Sequence, residues 1–209
     1  GSAEAALIQQ ACRHAALDEL RKAEMLRQIA RILNSAALEP LIFKGWAIAR
    51  YYAAPHLRPF GDVDLCSPPG AHARTLQVLN ETAAAPLDNA HAGYALGQFS
   101  IALGKWPGSA QVDLHADLEK FLMPDLDAIY GRSKRVGLDD AVVRVPAEED
   151  HLRLIAIHFL RHGGWRPLWL TDVAALLVVV APGQDQPHVP LGVVIAVERP
   201  VHIARRAAV

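Results

Sequence analysis

Arg58-Pro59-Phe60-Gly61-Asp62-Val63-Asp64-Leu65 sets two carboxylates one residue apart inside a short apolar run. Successive side chains on a strand alternate faces, so Asp62 and Asp64 project from the same side. Carboxylates placed that way repel each other unless positive charge lies between them. A divalent cation carrying nucleotide phosphates meets that need, because Mg²⁺ takes one or two carboxylates together with phosphate oxygens. Alone, Asp-x-Asp fits a solvated strand edge or a turn cap equally well, so its companions decide.

The decisive companion is Gln111-Val112-Asp113-Leu114-His115, which repeats the apolar–Asp–Leu pattern on a later strand. Asp62, Asp64 and Asp113 on neighbouring strands make a three-carboxylate cluster. Such a cluster holds two metals about 3.5–4 Å apart and clamps the attacking and leaving oxygens of a phosphoryl displacement. His115 shares a strand face with Asp113 and is expected to line the same site.

The bulk numbers frame this. At 209 residues, 52% hydrophobic and 21% charged, the chain is ordinary globular material able to bury a core. A net charge of −1 gives no general electrostatic case for wrapping nucleic acid. Cys12 and Cys66 lie far apart without CxxC spacing, which fits a reducing cytoplasm and excludes a disulfide framework or zinc knuckle. No signal-peptide pattern opens the sequence. The most apolar stretch, 165–181, is interrupted by Arg166, Pro167 and Asp172, so a buried helix is expected there and no membrane partner.

Periodicity orders the elements. Leu7, Ala11, Met25, Ile29 and Leu33 form a helical stripe over 4–34, free of Gly and Pro. Leu41-Ile42-Phe43 reads as a strand stopped by Lys44-Gly45, followed by a helix over 46–52. The Asp-x-Asp strand covers 60–66, a Ser67-Pro68-Pro69-Gly70 loop follows, and a helix is expected over 71–84. Strands are expected over 94–103 and 110–118, with a strand or hairpin over 135–145. Glu148-Glu149-Asp150 supplies acids for a helix start, and a second helix over 169–180 follows the Gly163-Gly164 break. Two domains are therefore expected, 3–146 and a helical 147–209. The tail beyond Pro182, with Pro187, Pro190 and Pro200, matches neither helix nor strand.

Phe43-Lys44-Gly45-Trp46, then Arg58-Pro59-x-Gly61-Asp62-Val63-Asp64-Leu65, then Val112-Asp113-Leu114-His115 resembles the polymerase-β-like nucleotidyltransferase superfamily. The nearest likeness is to its bacterial branch, whose helical half is also echoed by His158 and Trp169-Leu170-Thr171-Asp172. The resemblance implies an α+β fold: an α/β nucleotidyltransferase core with a small mixed sheet, then a C-terminal helical region, with nucleotide in the cleft between. It implies that Asp62, Asp64 and Asp113 are catalytic and hold metal, two Mg²⁺ ions or alternatively Mn²⁺, and that Asp113 receives the nucleophile's proton. Gly45 matches the glycine that lets a helix N-terminus approach the triphosphate. Lys44, Gly45, Arg58, Gly61 and His115 are the expected nucleotide-binding residues, Arg58 forking onto phosphate oxygens or, equally in keeping with its place before Pro59, pairing with a nearby acid. Where the superfamily has a small or hydroxyl residue after the glycine, this chain has Trp46, and its segment from Gly45 to Asp62 is long.

The implied activity moves a nucleoside monophosphate from a nucleoside triphosphate to an acceptor, which small molecules, peptides and RNA all satisfy on this scaffold. The competing expectation is a nucleotide-binding or partner-binding module without turnover, favoured by Trp46 and the long segment. A third is a toxin–antitoxin or defence component acting on RNA or protein; the lack of a basic run weighs against RNA. The oligomeric state stays open. His158 and His162 stand one turn apart without the glutamate of HExxH and are expected to be packed or at a domain interface rather than metal ligands. Asp172 suits either the cleft or a helix-start cap, and Trp165 and Trp169 are expected in the core. The sequence contains no GxSxG, GxxxxGK[ST] or GxGxxG, which excludes those hydrolase, P-loop and Rossmann motifs.

Overall fold

A computed structural model of the chain describes residues 2–54, 57–82, 98–102 and 111–181. In chain order the elements are α1 (Ala3–Ser35), β1 (Leu41–Ile42), α2 (Trp46–Ala49), β2 (Asp62–Cys66), α3 (His72–Thr82), β3 (Gln98–Ala102) and β4 (Gln111–His115). A 3-10 turn (Glu119–Phe121) follows, then α4 (Leu126–Arg132), β5 (Lys134–Leu138), β6 (Ala141–Val145), α5 (Glu148–Arg161) and α6 (Pro167–Val180). The expected α+β architecture is present.

Six strands form one mixed sheet in the order β3-β4-β2-β1-β6-β5. The pairs β2/β4 and β1/β6 are parallel, whereas β1/β2, β3/β4 and β5/β6 are antiparallel. Alternation along the strands separates two apolar layers. Val63, Leu65, Val112 and Leu114 face α1 and α3, where Leu26, Ile29 and Leu33 are essentially fully buried. Leu41, Phe43 and Cys66 face the opposite layer, packed with Phe121, Leu154, Ile155 and Leu176 from the 3-10 turn, α5 and α6. Each fully buried leucine contributes about 1.5–3 kcal/mol. The same alternation puts Asp62, Asp64, Asp113 and His115 on the α5/α6 side, which is what fixes the place of the site.

Several boundaries differ from the sequence expectations. The stripe on α1 buries only its C-terminal part; Leu7 and Leu20, on the part reaching beyond the sheet, are exposed. The helix over 46–52 contracts to four residues, since the chain after Ala49 is drawn toward α6. Residues 135–145 form the hairpin of β5 and β6. The 3-10 turn and α4 were not indicated by periodicity, being shorter than a reliable amphipathic window. The start of α6 lies at Pro167, a proline in the first turn that suits its fixed φ. Residues 83–97, 103–110 and the tail beyond Pro182 lie outside the described residues. Among the described residues no helix is long and apolar enough to cross a membrane.

The segment between α2 and β2 is tied to α6 by a buried ion pair. Arg58 Nε donates to Asp172 Oδ1 at 3.0 Å and Arg58 Nη2 to Oδ2 at 2.6 Å. Tyr52 donates its hydroxyl to the same Oδ1 at 2.7 Å, and Arg58 Nη1 reaches the Pro59 carbonyl at 3.0 Å. Arg58 is 6% exposed and Asp172 not at all, so each charge depends on the other. Removing one partner of such a pair strands the other and costs about 3–5 kcal/mol. Arg58→Ala and Asp172→Ala are each expected to lower unfolding free energy by about that amount. The double variant should cost far less than their sum in equilibrium denaturation. Simple additivity would show that the pair does not hold α6 in place.

Candidate active site

Parallel register places Asp64 opposite Asp113, with Asp62 two residues earlier on the same face of β2. One carboxylate oxygen from each of the three lies within 4.8 Å of the others. Asp64 and Asp113 are buried and Asp62 half-buried. Burial, and then the negative charge of Asp64, raise the pKa of Asp62 above the usual carboxylate range. Burial pushes Asp64 the same way, but Lys44 and His115 outweigh it and hold its pKa down at about 2. Crowded, ionised oxygen donors of this kind fit a hard divalent cation, Mg²⁺ or Mn²⁺.

Lys44 and Gly45 are positioned by one turn of the backbone. Gly45 has φ +47°, and a Cβ there would stand 3.1 Å from Phe60 Cβ and 3.3 Å from the Asp62 carbonyl oxygen. Glycine is therefore required both for its conformation and for the close approach of the chain leading into β2. Lys44 Nζ lies 2.5 Å from Asp64 Oδ1. Gly61 lies on the cavity rim, where a Cβ would meet nothing within 4 Å. Arg58 also reaches the cavity wall, but both prongs of its guanidinium are engaged by Asp172. The expected fork onto phosphate is thus occupied by a carboxylate. His115 is 1% exposed and lies behind Asp64, its Nε2 3.5 Å from Oδ1 and its ring edge-on to Phe43 at 5.0 Å. Burial lowers its pKa, so it stands as a neutral support for Asp64 rather than a wall residue.

These residues open into a cavity of about 780 Å³ between the sheet and the C-terminal helices. Across the cavity from the sheet the wall is basic, with Arg161 at the end of α5 and Arg166 at the start of α6, and Lys120 of the 3-10 turn lies near Asp64 and Asp113. Burial first, and then Lys44, lower the pKa of Lys120 to about 8. His158, His162 and Trp169 form a ring cluster on this wall, with centroids 4.6 Å apart for His158–Trp169 and 4.9 Å for His162–Trp169. Burial, and then Lys44, lower the pKa of His158 to about 3 and keep it neutral. Arg166 lies over Trp169 at 4.7 Å.

The expectations for these residues need correcting. Trp165 is 68% exposed rather than in the core, and Trp169 faces the cavity. Asp172 lies beyond the first turn of α6 and caps nothing; it takes up the cleft alternative through Arg58. Lys120, Arg161 and Arg166 were not singled out from sequence. One available signal was the Gly163-Gly164 break, whose φ values of +80° and +66° turn the chain tightly and bring its flanking arginines to the cavity mouth. Trp46, by contrast, packs against the α1/α3 layer and leaves the cavity open.

The fold is shared with an antigenic nucleotidyltransferase-like protein from Paracoccidioides brasiliensis. That likeness has a TM-score of 0.51 at 17% identity and covers 82% of this chain and 80% of the other. No curated protein sequence matches the chain. A family model described as an uncharacterised nucleotidyltransferase matches residues 2–201, and the chain belongs to that family.

Proposed function

We propose that the chain is a metal-dependent nucleotidyltransferase of the bacterial branch of the polymerase-β-like superfamily. It would transfer a nucleoside monophosphate from a nucleoside triphosphate to a nucleophile on a small molecule, peptide or RNA. The observation that carries this is the charge gathered around one cavity: three clustered carboxylates on the sheet side with Lys120 beside them, and Arg161 and Arg166 on the helical side. A triphosphate is an anion that needs both, a cation held by the carboxylates and direct basic partners. The cavity also falls within the usual volume of small-molecule sites, about 300–1,000 Å³.

In this reading the 3–146 part supplies the carboxylates together with Lys44 and Lys120, and the helical part from 147 supplies Arg161 and Arg166 across the cavity. Asp62, Asp64 and Asp113 would hold Mg²⁺ or Mn²⁺, which when bound polarises phosphoryl oxygens. Asp113 takes the proton as the acceptor's nucleophile attacks the α-phosphorus. The bond from that phosphorus to the bridging oxygen breaks, and pyrophosphate leaves with its charge met by Lys120, Arg161 and Arg166. Trp169, with His158 and His162, offers an apolar ring surface beside the phosphates. Free thiols at Cys12 and Cys66 suit a cytoplasmic location.

Two outcomes test the assignment. Binding of a non-hydrolysable nucleoside triphosphate is expected to require Mg²⁺ and to be lost in the Asp62→Ala/Asp64→Ala double variant. Asp64→Asn should fold yet lower pyrophosphate release by about 10²–10³-fold or more; a folded, fully active Asp64→Asn protein would sink the mechanism. The second outcome concerns pH. Lys120 is an ammonium below about pH 8 and loses its charge above it. Because phosphate binding favours the charged form, nucleotide affinity should weaken about tenfold between pH 7 and pH 9. Lys120→Met should bind more weakly at pH 7 and flatten that slope. An unchanged slope in Lys120→Met would remove Lys120 from the phosphate site.

A further inference from the structure

A pair of metal ions about 3.5–4 Å apart is held by carboxylates that give one oxygen to each ion. By register Asp64 is the central carboxylate of the three, so it is the one placed to bridge. Its Oδ1, however, has no access to solvent. Lys44 Nζ sits 2.5 Å from that oxygen and His115 Nε2 3.5 Å from it. Oδ1 makes no well-aligned hydrogen bond, so its attraction to Lys44 is that of charge for charge. The rings of Phe43 and Phe121 flank the ammonium, at 5.8 and 5.9 Å from their centroids. The Gly45 turn fixes the backbone from which Lys44 extends, and Lys44 still forms part of the cavity wall.

We propose that this site takes a single divalent cation, on Asp62, Asp113 and the remaining oxygen of Asp64, and that the Lys44 ammonium occupies the place of the second. One divalent ion and one ammonium match the formal charge of the three carboxylates. From its position Lys44 touches Asp64 on one side and presents donor hydrogens to a phosphate oxygen in the cavity on the other. An ammonium supplies charge and hydrogen bonds but no open coordination position, so only one ion is left to gather substrate oxygens. The proposal rests on the nucleotidyl-transfer reading for its purpose and replaces the two ions that the sequence resemblance implies.

The test counts Mn²⁺ bound per full-length chain, from the electron paramagnetic resonance signal of the free ion. Binding by the Asp62→Ala/Asp113→Ala chain is subtracted to remove sites elsewhere. The wild type is expected to bind one ion at this site. Lys44→Met, which keeps the stem and loses the charge, should bind two, while Lys44→Arg should stay at one. Two ions in the wild type, or one in both wild type and Lys44→Met, overturns the proposal and leaves nucleotidyl transfer standing. No Mn²⁺ bound at this site in any chain overturns the proposal and the metal-dependent reading together. The wild-type count stands even if Lys44→Met does not fold, and Lys44→Gln serves as the second neutral variant.

Discussion

Mutual repulsion among Asp62, Asp64 and Asp113 is the constraint around which this molecule is arranged. Burial in a low-dielectric layer magnifies that repulsion, as the raised pKa of Asp62 records. The parallel pairing of β2 and β4 forces the three together, and the apolar residues between them cannot change faces without exposing Val63, Leu65, Val112 and Leu114. The core and the site are thus one decision: the register that buries the valines and leucines on one face aligns the carboxylates on the other. Everything nearby answers that charge, from Lys44 at the centre to the basic wall across the cavity.

The long segment before β2 belongs to the same arrangement. Tyr52 and Arg58 both spend their polar atoms on Asp172, fastening α6 to the chain that leads into the carboxylates. Arg166 and Trp169 precede Asp172 on or beside that helix, so the clamp also sets where the opposing wall stands. An arginine suited by type to grip phosphate acts here on the scaffold. Its pKa stays raised because Asp172 outweighs the burial that would lower it.

Strand-borne features were legible in the sequence because a two-residue period assigns faces without reference to the rest of the chain. Asp62, Asp64 and Asp113 could be placed together from their spacing and repeated Asp-Leu context, whereas 135–145 read as either a strand or a hairpin. Gly45 was singled out by the motif resemblance; locally it marked only the end of an apolar strand. Lys120, Arg161 and Arg166 could not, since each is an ordinary surface type until α5 and α6 fold back over the sheet. Arg58 read equally as a phosphate grip or as half of an ion pair, because its partner lies 114 positions away and no local pattern announces it. His115 was put on the correct face, yet face alone does not say that Phe43 and Asp64 cover it.

The difference between local and distant information bears on how such a site divides its labour. Strand register delivers negative charge with little freedom, because moving one carboxylate moves a core residue with it. The positive charges arrive on separate elements: Lys44 on a glycine turn, Lys120 on a 3-10 turn, and the two arginines at helix ends. Changing any one of these leaves the sheet register intact. The scaffold therefore holds its carboxylate side constant while the basic side of the cavity is free to vary. Lys44 stands between the two, fixed to Asp64 like part of the sheet yet facing the cavity like part of the wall. That dual contact is why, on the single-ion arrangement proposed above, its charge more than that of any other basic residue in the cavity would set how many metal ions the carboxylates accept.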